Sequence, residues 1–459
     1  MTGGLLQLVA YGAQDVYITG NPQVTFFKLV YRRHTNFAQE TIEQNFSGTT
    51  GFGRKAIATL SRNGDLVHRI WLKIDVGEVS IPVASTFRWL NWLGHVMINW
   101  VEFEIGGQKI DRQYGEWMHI YSELTTKQGH KQGYANMVGN VPKLVAPIKN
   151  TNSVGEMKLA PFTLYVPLQF YFCRNPGLCL PLVALQYHEV KVTVEMRAFE
   201  DCCFTMGTKP QAPDVQSTLL VDYIFLDTDE RRRFAQVSHE YLITQIQFTG
   251  EEINTGSVYR SKLSFNHPTK EIVWVSQKQS LVQDETVINA NMGKQWYNYT
   301  TKADKTWLFG MANDANGGGM WGSGIINDNL YATLSNAGSG SNFFQIPYDT
   351  GINPTAKAVL QLNGHDRFAE RDGRWFNLCI PYATHENIPS TGINVYNFAL
   401  RPEEQQPSGS LNFSRIDSAI LRITHDQETA SEAYIIKVYA VSYNILRVLS
   451  GMGGMAYSD

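Results

Sequence analysis

The densest group of side chains that could carry out chemistry is the run of residues 365–372 (HDRFAERD). A histidine beside paired carboxylates could supply a general acid, a general base or a nucleophile, and glycosidases use two such carboxylates. The run directly follows Asn363-Gly364, a turn dipeptide, and its charges alternate in sign. We therefore interpret it as a surface loop of ion pairs.

Three further patterns resemble binding motifs but lack an essential part. Tyr187-His188-Glu189 offers a histidine and a carboxylate, but no second metal ligand follows at helical spacing. The glycine-rich stretches 317–319 and 451–454 lack the Lys-Ser/Thr pair of a phosphate-binding loop. We predict no catalytic residue, no metal site and no cofactor.

The cysteines indicate free thiols. There are five of them, and no Cys-x-x-Cys pair occurs among Cys173, Cys179, Cys202, Cys203 and Cys379. This pattern argues against a disulfide framework or a zinc site and favours a reducing compartment. Apolar runs are too short for a membrane span, and the first residues lack the basic flank of a signal peptide. We expect a soluble protein made in the cytosol.

Three Asn-x-Ser/Thr sequons begin at Asn45, Asn298 and Asn412. A protein made in the cytosol does not meet the secretory glycosylation machinery, so we expect that machinery to leave them unmodified. Asn298 is the glycosylation candidate to test.

The charge balance argues against nucleic-acid binding. The 459 residues include 39 Lys+Arg and 42 Asp+Glu, for a net charge of −3. Nucleic-acid-binding domains usually carry a basic patch or stripe. The one tight basic cluster, residues 231–233 (RRR), follows Asp227, Asp229 and Glu230, which predicts a helix start or a solvated ion-pair patch.

Alternation of apolar and polar residues predicts strands with one buried face. The clearest examples are residues 70–76, 101–105, 190–196, 219–226, 239–248 and 419–423. Asn63-Gly64 predicts a two-residue hairpin before the first of these, and Gly106-Gly107 predicts a turn after the second. Residues 117–124 predict a short helix, because apolar side chains recur there at i, i+3, i+4 and i+7. The chain is thus all-β with a few short helices.

Two pieces of sequence recur about half a chain apart. Residues 104–108 (EIGGQ) are echoed by 361–365 (QLNGH), and 115–117 (GEW) by 373–375 (GRW). A strand, a glycine turn and then Gly-x-Trp at matched spacing indicate a duplicated unit. Roughly eight short strands per unit favour the jelly roll, although composition alone does not exclude an immunoglobulin-like sandwich.

The predicted domains follow from these patterns. Residues 1–23 form an N-terminal arm, and residues 24–226 form the first sandwich. A charged run interrupts the strand pattern at 227–238, the predicted junction, and residues 239–459 form the second sandwich. A stretch rich in Asn, Gly, Ser and Thr, 277–355, is interpreted as a long insertion of ordered surface loops.

Residues 397–417 (NFALRPEEQQPSGSLNFSRID) place two prolines around a tight turn between strands. This segment resembles the C-terminal signature of major capsid proteins of large icosahedral double-stranded DNA viruses, such as phycodnaviruses and marseilleviruses. Residues 11–23 (YGAQDVYITGNPQ) resemble the N-terminal signature, and 450–454 (SGMGG) resemble the usual ending. The resemblance spans the chain and is poor only at about 127–160 and 277–355.

The resemblance implies a double jelly roll, that is, two tandem eight-stranded antiparallel jelly rolls with long surface loops. It also implies a structural role, in which three copies form a pseudo-hexagonal capsomer that tiles an icosahedral shell. The implied partners are further copies of the chain, penton proteins, minor capsid or cement proteins, and a nearby internal viral membrane. The implied location is the virion capsid, assembled in the host cytoplasm.

The main alternative is a carbohydrate-binding or glycosidase-like β-sandwich, because aromatic residues of the insertion could form a sugar-binding platform. That function requires two carboxylates roughly 5–10 Å apart in a cleft.

Overall fold

A computed structural model of the chain describes residues 3–10, 12–23, 27, 29, 31–151, 155–304, 351–426 and 432–457. Met1–Phe37 and Ala38–Asp459 are separate compact units. The first contains the short helices α1 Gly3–Val9 and α2 Val16–Thr19. The second unit contains both halves of the predicted repeat.

The first half of the large unit, here called the first roll, contains two four-stranded sheets in the orders β1-β14-β3-β10 and β2-β12-β6-β7. Short strands add to them: β11 pairs with β3, β4 with β9, and β5 with β8 and β13. The bounds are β1 Phe37–Asn45, β2 Lys55–Thr59, β3 Leu66–Val76, β4 Val79–Ile81, β5 Thr86–Trp89, β6 Ile98–Ile105, β7 Gln108–Tyr114, β8 Ile148–Lys149, β9 Met157–Leu159, β10 Phe162–Pro167, β11 Leu180–Pro181, β12 Val190–Met196, β13 Cys203–Met206 and β14 Val215–Leu226.

The second half, here called the second roll, repeats this arrangement in sheets of order β15-β24-β17-β21 and β16-β23-β18-β19. Three short strands, β20, β22 and β25, pair with β18, β17 and β24. The bounds are β15 His239–Asn254, β16 Val258–Lys262, β17 Pro268–Lys278, β18 Thr355–Leu362, β19 His365–Asp366, β20 Arg371–Asp372, β21 Ile393–Asn397, β22 Leu411–Asn412, β23 Ala419–His425, β24 Tyr434–Leu449 and β25 Met452–Met455.

Most helices are short and lie in connections between strands. The predicted helix at residues 117–124 is confirmed as α4, and a π-helical turn at Trp375–Cys379 runs directly into α12. The bounds are α3 Leu93–Met97, α4 Gly115–Thr125, α5 Lys131–Val138, α6 Pro142–Val145, α7 Tyr171–Arg174, α8 Phe199–Cys202, α9 Thr228–Gln236, α10 Ser280–Gln283, α11 Glu285–Ala290 and α12 Ile380–Thr384. Within the described residues, no helix is long and apolar enough to cross a membrane.

The duplication inferred from the glycine turns is confirmed by topology, because each roll has the same two four-strand orders of a jelly roll. Gly106-Gly107 joins β6 to β7, and Asn363-Gly364 joins β18 to β19 at the equivalent place. Both residues of each turn have positive φ, between 50° and 83°. This is the type I′ geometry of a two-residue hairpin.

Each roll has its own apolar core between its two sheets. In the first roll, Ile70 and Leu72 of β3 pack in one cluster with Phe103 of β6. In the second roll, Ile272 and Trp274 of β17 do the same with residues of β18 and β23. The strands predicted from alternation are therefore confirmed: their apolar faces form these cores, except that Ile246 and Phe248 of β15 pack in a third cluster with Trp117.

The hairpin predicted at Asn63-Gly64 is wrong. The strand before it, β2, and the strand after it, β3, lie in different sheets, and Gly64 does not have positive φ. A Cβ at Gly64 would lie 2.8 Å from Cβ of Tyr223. Glycine is thus required here for close packing of the chain on Tyr223, a reason that the dipeptide pattern does not distinguish from a turn.

The insertion at 277–355 differs in part from the expected surface loops. Gln277 and Lys278 still belong to β17, the described residues 279–304 contain α10 and α11, and residues 305–350 lie outside the described residues. Tyr299 is 1% exposed, and Trp296 packs against the core of the first roll. The described portion is therefore partly buried between the rolls, since its aromatic side chains contribute to the cores.

Candidate functional site

The helix α4, called the first-roll helix below, joins the two rolls. It begins at Gly115, where a Cβ would lie only 2.3 Å from the carbonyl oxygens of His95 and Ile98, so no larger residue fits. Its stripe of Trp117, Ile120 and Leu124 is at most 1% exposed and packs on the sheet β15-β24-β17-β21 of the second roll. The two rolls of one chain are thus held together by an apolar contact between a helix of the first roll and a sheet of the second.

A buried ion pair lies in this contact between the rolls. Glu116 of the first-roll helix accepts hydrogen bonds from Lys437 at 2.7 Å, Tyr299 at 2.9 Å and Tyr439 at 3.1 Å. Lys437 also pairs with Glu251 at 3.0 Å. Burial, followed by the charge of Glu116, holds the pKa of Tyr299 and of Tyr439 well above the ordinary value. Both phenols therefore stay protonated and act as donors to Glu116.

A small polar cavity of about 110 Å³ lies at the end of the first-roll helix, and Glu271 and Glu403 are among its lining residues. Burial alone would raise the pKa of Glu271, but the hydrogen bond and charge of His385, 3.0 Å away, lower it below its usual value. Burial raises the pKa of Glu403. Two carboxyl groups with diverging pKa values are what an acid–base pair requires.

This cavity does not suit a sugar. Ligand pockets usually have volumes of roughly 300–1,000 Å³, well above the 110 Å³ found here. Glu271 is also bonded to His385, whose side chain is 1% exposed, so the carboxylate is already partnered. Both carboxylates have partners within the second roll, Glu271 in His385 and Glu403 in the backbone N–H of Glu386, and they do not form an open catalytic cleft.

A larger cleft of about 550 Å³ lies elsewhere between the rolls. Its aromatic residue, Trp296, has the cations of Arg197 and Lys294 over its ring at 4.3 and 5.5 Å, so the face that a sugar would stack on is covered. Each acidic residue of the cleft is already paired, in Glu195–Asn99, Asp201–Lys294 and Glu251–Lys437. The cleft therefore shows neither an aromatic platform nor a free carboxylate pair.

Asn298, the glycosylation candidate, is half-buried and its amide is fully engaged. Its Nδ2 donates to Gln295 Oε1 at 2.7 Å and to the Lys302 carbonyl at 2.8 Å. Its Oδ1 accepts from the backbone N–H and the hydroxyl of Thr300. A glycan on Nδ2 would disrupt these bonds.

We expect Asn298 to be unmodified, and we expect its amide to be structural. Asn298→Ala should lower the free energy of unfolding by about 1–3 kcal/mol, because it leaves several polar partners unsatisfied. Asn45→Ala, at the exposed end of β1, should change it by about 0.5 kcal/mol or less. Urea denaturation measures both, and peptide mass spectrometry of virion-derived protein measures modification. A glycan on the Asn298 peptide would contradict this expectation.

In the polar run 365–372, Glu370 forms ion pairs with Lys357 and Arg422 of the neighbouring strands. The residues of the run in β19 and β20 are exposed, and Glu370 pairs with Arg422 at 3.0 Å. Asp372 accepts a hydrogen bond from the backbone N–H of Arg374, next to the π-helical turn. The charges therefore stabilise the loop and do not converge on a cleft.

The remaining sequence candidates also have structural roles. His188 lies just before β12, and its Nδ1 contacts the backbone of Gly453 in β25, which ties the two rolls together. Arg231 lies in α9 and pairs with Asp65 at 2.7 Å. Within the described ranges, no three potential ligands come together to hold a metal ion.

The five cysteines are free thiols. Burial raises the pKa of Cys173, Cys179 and Cys203 to about 12, and that of Cys202 also rises. Cys379 alone among the five is exposed.

The sequence pattern predicted α4 but not the surface that covers it. Lys437 was also missed, although a lone lysine inside the apolar strand β24 is a recognisable signal, since lysine is almost never fully buried unless it is paired. The partner Glu116 gave no signal of its own, because a carboxylate in the first turn of a helix is normally exposed.

Comparison with known proteins identifies the family. A family model described as "Major capsid protein N-terminus" matches residues 25–227, and one described as "Large eukaryotic DNA virus major capsid protein" matches residues 230–454. The chain is 46% identical to the major capsid protein of Phaeocystis pouchetii virus and 44% identical to that of Pyramimonas orientalis virus. In each case 100% of both chains is covered.

Solved structures agree with this result. The crystal structure of PBCV-1 VP54, fitted into a reconstruction of the virophage Sputnik, matches with a TM-score of 0.68 and 33% identity, over 95% of this chain and 100% of that chain. The Faustovirus major capsid protein, at 12% identity, has the same fold, with a TM-score of 0.70 over 96% of this chain and 94% of that one. These neighbours are double jelly rolls, so the predicted fold class is confirmed. The chain is a structural protein of the virion capsid, and it belongs to the family of major capsid proteins of large eukaryotic DNA viruses.

Proposed function

We propose that three copies of this chain form a capsomer with a pseudo-hexagonal outline, and that these capsomers tile the faces of an icosahedral shell. The observation that carries the proposal is the repetition of one eight-stranded order in two fused rolls. Three chains then present six similar units around one axis. A hexagonal outline fills a flat lattice with nearly equivalent contacts, which explains why duplication of the unit suits a shell protein.

The domain limits that we propose are an arm at 1–23, a first jelly roll at 24–226, a junction at 227–238 and a second jelly roll at 239–459. The helix α9 Thr228–Gln236 lies in the proposed junction and contains no buried residue. A solvated helix between two cores is what a connection requires. We further propose that the insertion at 277–355, of which residues 305–350 lie outside the described residues, lies on the outer face of the capsomer and that the arm lies on the inner face.

The proposed partners are penton proteins and minor capsid or cement proteins, with an internal viral membrane nearby. Assembly is proposed to take place in the host cytoplasm and to involve no specific nucleic-acid contact, since the net charge is −3. We propose that the chain has no catalytic function. The small volume beside Glu271 and the pairing of that residue with His385 support this part of the proposal.

The full chain is expected to sediment as a trimer at micromolar concentration in analytical ultracentrifugation. The interface should bury on the order of 2,000–5,000 Å², as in obligate oligomers. Such an area resists dilution, so the trimer should persist through the micromolar range. A stable monomer at that concentration would overturn the capsomer proposal.

A further inference from the structure

We propose that residues 375–384, called the second-roll helix below, form the contact between copies of this chain. They dock on the outward face of the sheet β1-β14-β3-β10 in the first roll of a neighbouring copy. This inference rests on the trimer proposed above and deepens it, because it specifies the two surfaces that meet. The proposed contact between chains is inferred from the contact that the first-roll helix makes with the second roll inside one chain.

The two sheets can be matched residue by residue. The central strands β3 and β17 have equal length, and each pairs at its first two residues with a two-residue strand. Leu66 and Val67 pair with β11, and Pro268 and Thr269 pair with β22. With this register, Ile70 and Leu72 of the first core match Ile272 and Trp274 of the second core. The outward face of one sheet can therefore be compared directly with the other.

The two helices match in the same way. Gly115 and Gly373 each begin the equivalent segment, and at Gly373 a Cβ would lie 1.8 Å from the Thr355 carbonyl oxygen. The next residues facing the core also match, since Met118 belongs to the first core and Phe376 to the second. The two helices therefore begin at equivalent glycines and turn equivalent residues to their cores, although Trp375–Cys379 is π-helical where the first-roll helix is α-helical.

The apolar stripes of the two helices differ in the exposed fraction of their side chains. On the first-roll helix the stripe is at most 1% exposed, because the second roll covers it. On the second-roll helix the equivalent residues Trp375, Leu378 and Tyr382 are 41%, 42% and 79% exposed. One face of the Trp375 ring lies against Arg371 at 4.7 Å. Three large apolar side chains at i, i+3 and i+7 thus remain without the cover that their counterparts have.

The receiving sheets differ in the same respect. In the second roll, Val273 and its neighbours Tyr439 and Val395 are at most 1% exposed under the first-roll helix. In the first roll, the matching residue Trp71 and its neighbours Leu220 and Pro167 are partly exposed. Tyr165, one step further along β10, is 39% exposed. The first roll therefore leaves these apolar side chains partly exposed, next to the Lys73–Asp75 ion pair, at the place where the second roll is covered.

The charges at the two contacts are complementary but reversed. Inside the chain, Glu116 of the helix meets Lys437 of the sheet. The residue equivalent to Glu116 is Arg374, which is exposed. The residue equivalent to Lys437 is Thr218, whose hydroxyl donates to Glu43 at 2.9 Å, and Glu43 also lies 3.7 Å from Lys73 of the same face. A cation on the helix would thus meet a carboxylate on the sheet, and the pair Arg374–Glu43 would replace Glu116–Lys437.

The occupant of the open face is a second copy of this chain and no other protein, because both surfaces belong to the same repeat. The contact is heterologous, since each copy gives its second-roll helix to one neighbour and receives that of another on its first roll. Heterologous contacts of this kind form a closed ring when the rotation that relates neighbouring copies returns to the first copy, here after three steps. The alternating order of rolls inside and between chains then continues around the axis.

Charge exchange tests the proposal in the full chain. Arg374→Glu and Glu43→Arg should each raise the dissociation constant of the trimer by about 30-fold or more, the effect of losing a strong interface residue. The double variant should restore association to within about threefold of the unmodified chain. Sedimentation across a dilution series measures all three. Single variants that associate normally, or a double variant that is no better than the singles, would overturn the assignment.

Tyr382→Asp adds a test of the apolar stripe, and Val258→Asp is its matched control, because Val258 is 49% exposed in β16 outside the proposed contact. Only Tyr382→Asp should dissociate the trimer. Equal effects of the two substitutions would contradict the proposal.

Cys379 provides a reporter in the native chain, since it lies on the second-roll helix and is the one exposed cysteine of the five. A thiol-alkylating reagent should modify Cys379 in the dissociated Arg374→Glu variant at least about tenfold faster than in the trimer. Slow reaction of the other four thiols shows that the variant remains folded. Equal rates at Cys379 in trimer and monomer would overturn the docking proposal. If the trimer forms but these substitutions do not weaken it, the docking proposal is wrong and the proposed capsomer stands. If the unmodified chain stays monomeric, the proposed capsomer is itself wrong.

Discussion

Replacing Lys437 by methionine is expected to lower the free energy of unfolding by about 3–5 kcal/mol. Lys437 and Glu116 have side chains only 3% and 6% exposed, and Lys437 Nζ lies 2.7 Å from Glu116 Oε2. Methionine retains most of the side-chain volume but removes the cation. Glu116 would then keep two phenol donors and no opposite charge in a buried contact, which costs far more than the loss of an exposed pair.

The matched control is Lys158→Met, because Lys158 and Glu78 form an ion pair at 2.7 Å with side chains 65% and 42% exposed. Its loss should change the free energy by about 1 kcal/mol or less. Urea denaturation at one protein concentration measures both variants. The double variant Lys437→Met/Glu116→Gln should recover part of the loss, since it also removes the buried carboxylate charge. Similar effects of Lys437→Met and Lys158→Met would contradict the role given to the buried pair.

The sequence predicted those parts of the fold that depend on local patterns. Alternation located β3, β6, β12 and β23, since each buries one face within its own roll. Glycine turns located the repeat, because positive φ at Gly107 and Gly364 is required in both copies.

What the sequence did not predict depends on contacts between distant segments. Asn63-Gly64 has the composition of a hairpin, but its glycine is needed for packing against Tyr223, which lies far along the chain. Likewise, helical spacing at Trp117 identifies a helix with an apolar face and says nothing about which surface covers that face. The candidate site at Asn298 was found by its sequon, while the hydrogen bonds that engage its amide depend on the local fold of residues 295–302.

The two tryptophans of the repeat should differ in what they stabilise, Trp117 the single chain and Trp375 the trimer. Trp117→Ala is expected to lower the free energy of unfolding by about 3–5 kcal/mol, because it removes a fully buried side chain from the contact between the rolls. Trp375→Ala should change it by about 1 kcal/mol or less, since Trp375 is 41% exposed in the single chain.

For association of the chains, we expect Trp375→Ala to have the larger effect of the two substitutions. Trp375→Ala should weaken the trimer by about 30-fold, because the side chain is covered only by a neighbouring copy in the proposed contact. Urea denaturation of dilute chain and sedimentation of concentrated chain separate the two effects. If Trp375→Ala destabilised the single chain as much as Trp117→Ala does, Trp375 would be a core residue. If it left the trimer intact, the second-roll helix would not be the contact. The same Gly-x-Trp sequence thus forms a packing contact within the chain in the first roll and, in the proposed trimer, a packing contact between chains in the second roll.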